Sequence, residues 1–416
     1  MPWLKPPFSA QNTPYSPDIN SSSMPEQGHL HTDTIRKRLT PKLGVLVPLT
    51  AKELTSALKQ ELPAGNEEFS DFKAFHLVLR LVSHIAARHF VGSPLCSSED
   101  WISTALKYTE NAFRTIIFVR VFPNWLKPLI GFFLPYSWKV SSALKHAQQL
   151  IIPIVLERRN AESAGDATYE KPEDFLQWMM DGANEHDGEP HRLAHRLLIL
   201  TLAAVHTTSM AATQTLFDLC ARPEYIVPLQ EEVLQAVTED NGFQKPTLTK
   251  LRKLDSFMRE SQRLNPPSLL GFKRSVKTPL TLSDGLLLPA AVHLMMPVSP
   301  LALDPAIIPN PTAFLGFRHY DLRQLPGQST RHQFATTSSN NLHFGHGKYS
   351  RPGRFFAANS IKMVISRLLL EFDFKFPDDK MARPRNVEVH EYCFPDPDAS
   401  VLFRGKKVKL WVSEEV

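Results

Sequence analysis

Apolar positions recur every three or four residues over most of this chain. That spacing predicts helices from about 31 to 160 and, in succession, from 170 to 270. The period changes at 271–298, where short strand-like runs flank a Ser283-Asp284-Gly285 turn. Between 300 and 350 no period holds, which predicts irregular loop. An apolar helical run then opens at Arg354-Phe355-Phe356-Ala357-Ala358 and continues to 371, and 372–414 breaks into short strands. Residues 1–28, rich in Pro, Ser, Asn and Gln, predict a mobile tail. The expected fold class is mainly α with small β-sheets. One stretch admits two uses. The apolar, proline-broken run from Phe122-Pro123-Asn124-Trp125 to Pro135-Tyr136-Ser137-Trp138 is expected to pack in the core, with a resting place on a membrane surface as the alternative.

Composition narrows the class. Of 416 residues, 43% are hydrophobic, enough for a large core, and no linker interrupts residues 29–416, so one domain is expected after the tail. The 34 prolines are spread as loops and helix stops and form no low-complexity block. A net charge of +5, with basic residues scattered, gives no footprint for nucleic acid. Cysteines stand only at 96, 220 and 393, without metal-ligand spacing or a disulfide framework, which predicts a reducing, intracellular compartment. No run of ~18 or more apolar residues lies near the start and no signal-peptide pattern is present, so no transmembrane segment is expected. A monomer is expected.

Chemistry concentrates in His343-Phe344-Gly345-His346-Gly347-Lys348-Tyr349-Ser350-Arg351-Pro352-Gly353-Arg354. Glycines at 345, 347 and 353 permit backbone conformations closed to residues with a Cβ, so a tight turn is expected to pass close to something flat. Pro352 stiffens the exit into the following helix. Upstream, Glu260 and Arg263 are spaced i, i+3 and share a helical face, and Asn265-Pro266-Pro267 stops that helix. Taken alone, that pair says little, since helices carry such spacings widely.

Together these strings resemble the cytochrome P-450 family. Its haem loop reads Phe-x-x-Gly-x-x-x-Cys-x-Gly, matched here by Phe344, Gly347 and Gly353, with Arg351 where the family has its iron-ligating Cys. Pro311-Thr312-Ala313-Phe314-Leu315-Gly316-Phe317-Arg318 resembles the family's meander, which implies a structural triad of Glu260, Arg263 and Arg318. Leu197 to Thr208 resembles the long helix over the distal face of the haem. The resemblance implies Thr207 as the oxygen-side residue, with Ala204 as the small residue and His206 in place of the usual acid; a His shuttles protons near neutral pH. Thr208 follows as in the family pattern. For the haem propionates the resemblance points to Arg36, in a His31–Thr40 segment that lacks the family Trp, and to Arg274.

The resemblance implies a cytochrome P-450 fold shortened at its N-terminus, without the anchor helix and first sheet of full-length members, which are anchored in the endoplasmic reticulum. It also implies a haem cofactor, a small apolar substrate and, in an active member, an NADPH-dependent reductase. Peripheral membrane contact stays open. The Glu-Ser-Gln-Arg-Leu-Asn-Pro-Pro and Phe-Gly-His-Gly-Lys-Tyr strings suggest the fungal branch, whose members oxidise terpenoid, meroterpenoid or indole-derived secondary metabolites. Arg351 opposes the activity: a guanidinium has five donors, no free lone pair and a permanent charge that repels ferric iron. The expectation is therefore an inactive monooxygenase homologue of doubtful haem occupancy, with His346 the next nitrogen donor. The alternative is a haem-free or differently ligated remnant that binds or scaffolds.

Overall fold

The computed structural model describes residues 4–5, 29–62, 68–123, 125–165, 168–377 and 382–406. Of the tail expected at 1–28, all but Leu4 and Lys5 lies outside the described residues, as does the chain after 406. The chain is mainly helical with small antiparallel sheets, and it divides into two compact units. The first comprises Met1–Pro6, Leu43–Val82 and Thr207–Val416, and the second Pro7–Lys42 and Ser83–His206. No linker marks this division, because it falls inside the helices Thr40–Glu61, Ala74–Phe90 and Pro190–Ala221.

The first unit packs around Leu54, Leu81, Phe217, Phe257 and Phe334, all essentially inaccessible to water. Against this core lie the helices Ile226–Glu239, Arg252–Leu264 and Arg354–Glu371. The strand-like reading of 271–298 corresponds to strands Leu270–Val276 and His293–Pro297, paired antiparallel, with Leu4–Lys5 on the other edge of Leu270–Val276. The Ser283-Asp284-Gly285 turn joins the two-residue strands Leu280–Thr281 and Leu287–Leu288, and Gly285 takes φ +87°, which suits glycine. A second three-stranded sheet sets Ser400–Gly405 between Ser70–Lys73 and Phe372–Lys375. A hairpin pairs Val387–Val389 with Tyr392–Phe394.

The second unit buries Ile85, Trp101, Ile102, Ile151, Phe175 and Leu176 between the helices Glu99–Arg120, Pro135–Ser163 and Phe175–Gly182. Asp174 caps the last of these by accepting the Gln177 N–H, and its carboxylate takes both terminal nitrogens of the buried Arg158. Two proline positions depart from the helix-stop reading. Pro153 lies inside Pro135–Ser163 and Pro48 inside Thr40–Glu61. Each removes one backbone hydrogen bond, but the buried stripes around them, Ala147, Ile151 and Val155 or Leu46, Val47 and Ala51, hold the helices through packing.

The apolar run at 122–138 corrects a sequence expectation. Only part of it packs in the core, through Leu134 and Ser137: Trp125 is 78% exposed and Phe133 65%, with Leu129, Phe132 and Trp138 also exposed. The short helix Lys127–Phe133 is simply too brief, and too apolar on every face, to bury all its side chains against one neighbour. The helix Pro190–Ala221 is long and apolar enough to cross a membrane by length and composition, but most of its apolar window is buried inside the protein.

Candidate functional site

The 343–354 loop folds back on itself through backbone hydrogen bonds. The Gly345 N–H donates to the Leu342 carbonyl at 2.8 Å, and the Arg351 N–H donates to the Phe344 carbonyl at 2.8 Å. Gly345 and Gly347 take φ +73° and +67°, the left-handed conformation that favours glycine. Gly353 differs from the expectation: its φ is −80°, so it serves as the N-cap of Arg354–Glu371 and not as a left-handed turn. Nothing lies within 4 Å of where a Cβ would stand at Gly347 or at Gly353, so the backbone is bare on those sides. Arg354 clamps the exit, with Nε bonded to the Ala335 carbonyl at 3.1 Å and a terminal nitrogen bonded to the Arg351 carbonyl at 3.1 Å.

The helix Arg252–Leu264 holds this loop in place. Asp255 accepts the Phe334 N–H at 2.8 Å, and Phe334 packs edge-on against Phe344 at 5.4 Å between ring centres. The same carboxylate pairs with Lys362 at 2.7 Å, tying in the helix that leaves the loop. One turn further on, Glu260 accepts from Arg263 at 2.9 and 2.8 Å, from Arg318 at 3.3 Å and from the Leu315 N–H at 3.0 Å. Arg263 also donates to the carbonyls of Ala302 and Ala313, and Arg318 to that of Asn310. The structure thus brings Glu260, Arg263 and Arg318 into one buried cluster. Burial opposes the Glu260 charge, but the hydrogen bonds from Arg263 and the Leu315 backbone, with the Arg263 charge, prevail and hold its carboxyl well below the usual carboxylate range.

Arg274 meets the loop from the strand Leu270–Val276. Between Gly271 and Arg274 the pairing with His293–Pro297 shifts, and Phe272 takes φ +46°. Such an irregularity re-aims side chains. Here the Arg274 guanidinium lies 4.1 Å from the centre of the Phe272 ring and 5.3 Å from that of Tyr349 in the loop. The close approach depends on Gly271, whose missing Cβ would stand 2.5 Å from Val298 Cγ2 and 3.1 Å from the Leu342 carbonyl oxygen. On the next edge, the hairpin residue Cys393 donates its N–H to the Pro267 carbonyl, and Lys273 pairs with Glu391 at 2.8 Å.

Arg351 keeps exposed surface, yet protein crowds its guanidinium: burial lowers its affinity for the proton, partly offset by the nearby Tyr392 hydroxyl. Phe272, Tyr349 and Tyr392 went unnoticed in the sequence, because an isolated aromatic carries no signal until the strand and the hairpin bring it to the loop. His343, one residue before Phe344, is crowded too. Burial first, then the charges of Arg259 and Arg263, push its pKa to about 3, so it is neutral.

The remaining candidates sit elsewhere. Thr207 is half-buried in the helix Pro190–Ala221, and Thr208 is buried. In the second unit His206 bonds through Nε2 to Thr109 Oγ1 at 2.7 Å. The Thr109 hydroxyl already donates to the Leu106 carbonyl, which assigns the donated proton to His206. Burial pushes the His206 pKa to about 4, so near neutral pH it is uncharged and tethered. Arg36 is exposed on the π-helical turn Ile35–Leu39, also in the second unit.

The sequence model of the Cytochrome P450 family matches residues 22–403. Cytochrome P450 monooxygenase AN1598 of Emericella nidulans is 48% identical over 382 residues, covering 92% of this chain and 71% of that protein. Cytochrome P450 monooxygenase olcJ of Penicillium canescens is 45% identical over 381 residues, covering 92% and 72%. The ent-kaurene oxidase of Gibberella intermedia is 38% identical over 387 residues, covering 92% and 72%. Among solved structures, retinoic acid bound cyanobacterial CYP120A1 superposes with a TM-score of 0.66 at 19% identity, covering 91% of this chain and 77% of its own. That last likeness speaks for the fold alone. With the helical architecture in place, a family match across most of the chain and fungal monooxygenases at this level of identity, the chain belongs to the cytochrome P450 family.

Proposed function

We propose that this chain is a fungal cytochrome P450 homologue that has lost monooxygenase activity, and the observation that carries the reading is Arg351. The family implies haem. The loop keeps features suited to a flat macrocycle, in the bare backbone at Gly347 and Gly353 and in Phe344, and Arg274 is a cation suited to a propionate. The donor set does not fit. The thiolate that favours O–O cleavage is replaced by a guanidinium without a lone pair, and the cysteines of this chain stand at 96, 220 and 393. No oxygen chemistry is therefore assigned to Thr207 or His206. In an active ancestor the substrate would be an apolar terpenoid, meroterpenoid or indole-derived metabolite, with electrons from an NADPH-dependent reductase.

The test is spectral. Purified protein, reduced and exposed to carbon monoxide, is expected to show no thiolate-type Soret band and to carry haem well below one per chain. Arg351→Cys is expected to recover the band, since the loop around it is otherwise shaped for a thiolate. A thiolate-type band in the unaltered chain would overturn the reading; no band in Arg351→Cys despite bound haem would remove residue 351 from the axial position.

The exposed apolar face at 118–138 supports a second element of the proposal, peripheral contact with a lipid surface. Besides its aromatic residues, the segment 111–156 contains Arg114, Arg120, Lys127, Lys139 and Lys145 and neither Asp nor Glu. Arg114 pairs with Glu110 and Lys127 is buried, and aromatic rings beside the other basic side chains suit the boundary between acyl chains and anionic headgroups.

A further inference from the structure

Two small sheets of the first unit end on very different strands. The sheet built around Ser400–Gly405 ends on Ser70–Lys73, which carries Asp71 and Lys73, and on Phe372–Lys375, which carries Asp373 and Lys375. Charges on an edge discourage a further strand from adding to it. The sheet of Leu4–Lys5, Leu270–Val276 and His293–Pro297 lacks that protection on one side. Its last strand, His293-Leu294-Met295-Met296-Pro297, holds no acid, Lys or Arg, and no strand lies beyond it among the described residues. An antiparallel ladder turns the N–H and C=O groups of alternate residues outward, so this rim presents backbone donors and acceptors.

The side chains there are open as well. Met295 and Met296 point to opposite faces of the strand, yet they are 42% and 44% exposed. Backbone bonds between Val276 and both Ala291 and Val292 set the Leu280–Leu288 hairpin at the end of the same ribbon. That hairpin adds Leu282, Leu286 and Leu287, each at least 40% exposed. With exposed Pro289, Ala290, Ala291 and Pro297, the open surface reaches roughly the 800 Å² that one partner gives to a specific interface.

The chemistry of the rim selects its occupant. Acyl chains cannot bond to backbone groups, and residues 278–303 contain no Lys or Arg to hold an anionic headgroup. A foreign protein is selected by complementary charge, and Asp284 is the one acid in that stretch. An identical strand needs no charge. Laid antiparallel to its copy, it satisfies both rims, covers methionine with apolar side chains and sets no carboxylate or ammonium against its like.

We propose that two copies of this chain pair through His293–Pro297 about a two-fold axis, joining their three-stranded sheets into one. The pairing closes on itself, since the strand left at each outer edge is Leu4–Lys5, two residues long and carrying a lysine. The dimer takes the place of the monomer expected from the sequence, and it is independent of haem and of residue 351.

The experiment is sedimentation equilibrium of the full chain, without detergent, from low to high micromolar concentration. A monomer–dimer equilibrium is expected. Met295→Lys, at the middle of the strand, and separately Met296→Lys are expected to weaken it by about tenfold or more, because each ammonium meets its own copy near the axis. Melting temperature, read at a concentration where the parent is monomeric, is expected to stay unlowered, since both side chains are half-exposed. Replacing Trp125, Phe132 and Phe133 together by Ser is expected to leave the association unchanged. Hydrogen exchange of the unaltered chain supplies a readout that needs no variant: amides at 293–297 are expected to gain protection as concentration rises. A monomer at every concentration, or a dimer that survives both lysines, overturns the proposal. So does protection at 293–297 that does not vary with concentration, which assigns the cover to the chain itself. Binding to phosphatidylcholine vesicles that Met295→Lys abolishes, without any dimer in their absence, assigns the surface to lipid and overturns it too.

Discussion

At the scale of single residues, the chain separates positions that hold charge from positions that refuse it. Glu260 holds it, because its buried carboxylate finds donors on Arg263, Arg318 and the Leu315 backbone. Removing one member leaves the others buried and unmatched, so Glu260→Ala or Arg263→Ala is expected to destabilise by ~3–5 kcal/mol. Urea unfolding of the purified variants measures it, and wild-type midpoints would dismiss the cluster as a keystone. His206, His319 and His343 refuse charge: burial, the first cause in each, pushes their pKa values to about 4, 4 and 3. Unfolded histidines titrate near 6.5, so between that value and about 4 the unfolded chain binds protons that the native one does not. Stability is therefore full above pH 6.5 and falls as pH drops, by roughly 1.4 kcal/mol per pH unit for each such histidine. Glu260 acts in the same direction at lower pH, since its depressed carboxyl loses its contribution as the solution falls below the unfolded carboxylate range. Thermal melts from pH 7.5 to 4.5 are expected to show that slope, and His343→Gln to shallow it.

At the scale of elements, the site is a matter of how closely three segments approach. The strand Leu270–Val276 reaches the loop because Gly271 has no side chain to separate it from Leu342 and Val298. Gly271→Ala must push Val298 or the Leu342 backbone aside, which is expected to cost ~1–3 kcal/mol by overpacking and to lift Arg274 away from Tyr349. Intrinsic Trp and Tyr fluorescence with urea unfolding reads the stability. Gly347→Ala differs: space is open but φ is +67°, so the cost is the ~1 kcal/mol of a left-handed backbone and no clash.

At the scale of the whole molecule, the consequence of the exposed aromatic segment is association. Val121, Trp125, Leu129, Phe132, Phe133 and Trp138 form an exposed set whose burial in lipid would each contribute up to ~1.5–3 kcal/mol. Replacing Trp125, Phe132 and Phe133 together by Ser is expected to lower partitioning onto vesicles containing phosphatidylserine by more than tenfold and to raise solubility without lowering the melting temperature. Co-sedimentation measures the first. Equal partitioning of variant and parent would dismiss the lipid reading and assign the patch to a protein partner or a second copy.

The amino-acid sequence by itself carried what is local. Helical periods, the Ser283-Asp284-Gly285 turn and the spacing Phe344, Gly347, Arg351, Gly353 are short-range patterns whose physics is complete within a few residues. Those patterns were enough to recognise the family and to see the missing thiolate. The spacing of Glu260 and Arg263 was legible, and the identity of their distant partner Arg318 was legible only through the resemblance. Tertiary structure decided everything that depends on approach. It set Tyr349, Phe272 and Tyr392 around two cations, tied His206 to Thr109, and made Gly353 a helix cap although three glycines looked alike in sequence. It also left the 118–138 aromatics uncovered, because hydrophobicity states only that a side chain avoids water, while the number of neighbours available to cover it is fixed by how long helices pack. The lone charge on Arg351 is of the same kind: its chemistry is written in one letter, and whether a carboxylate stands within reach is a property of the assembled fold.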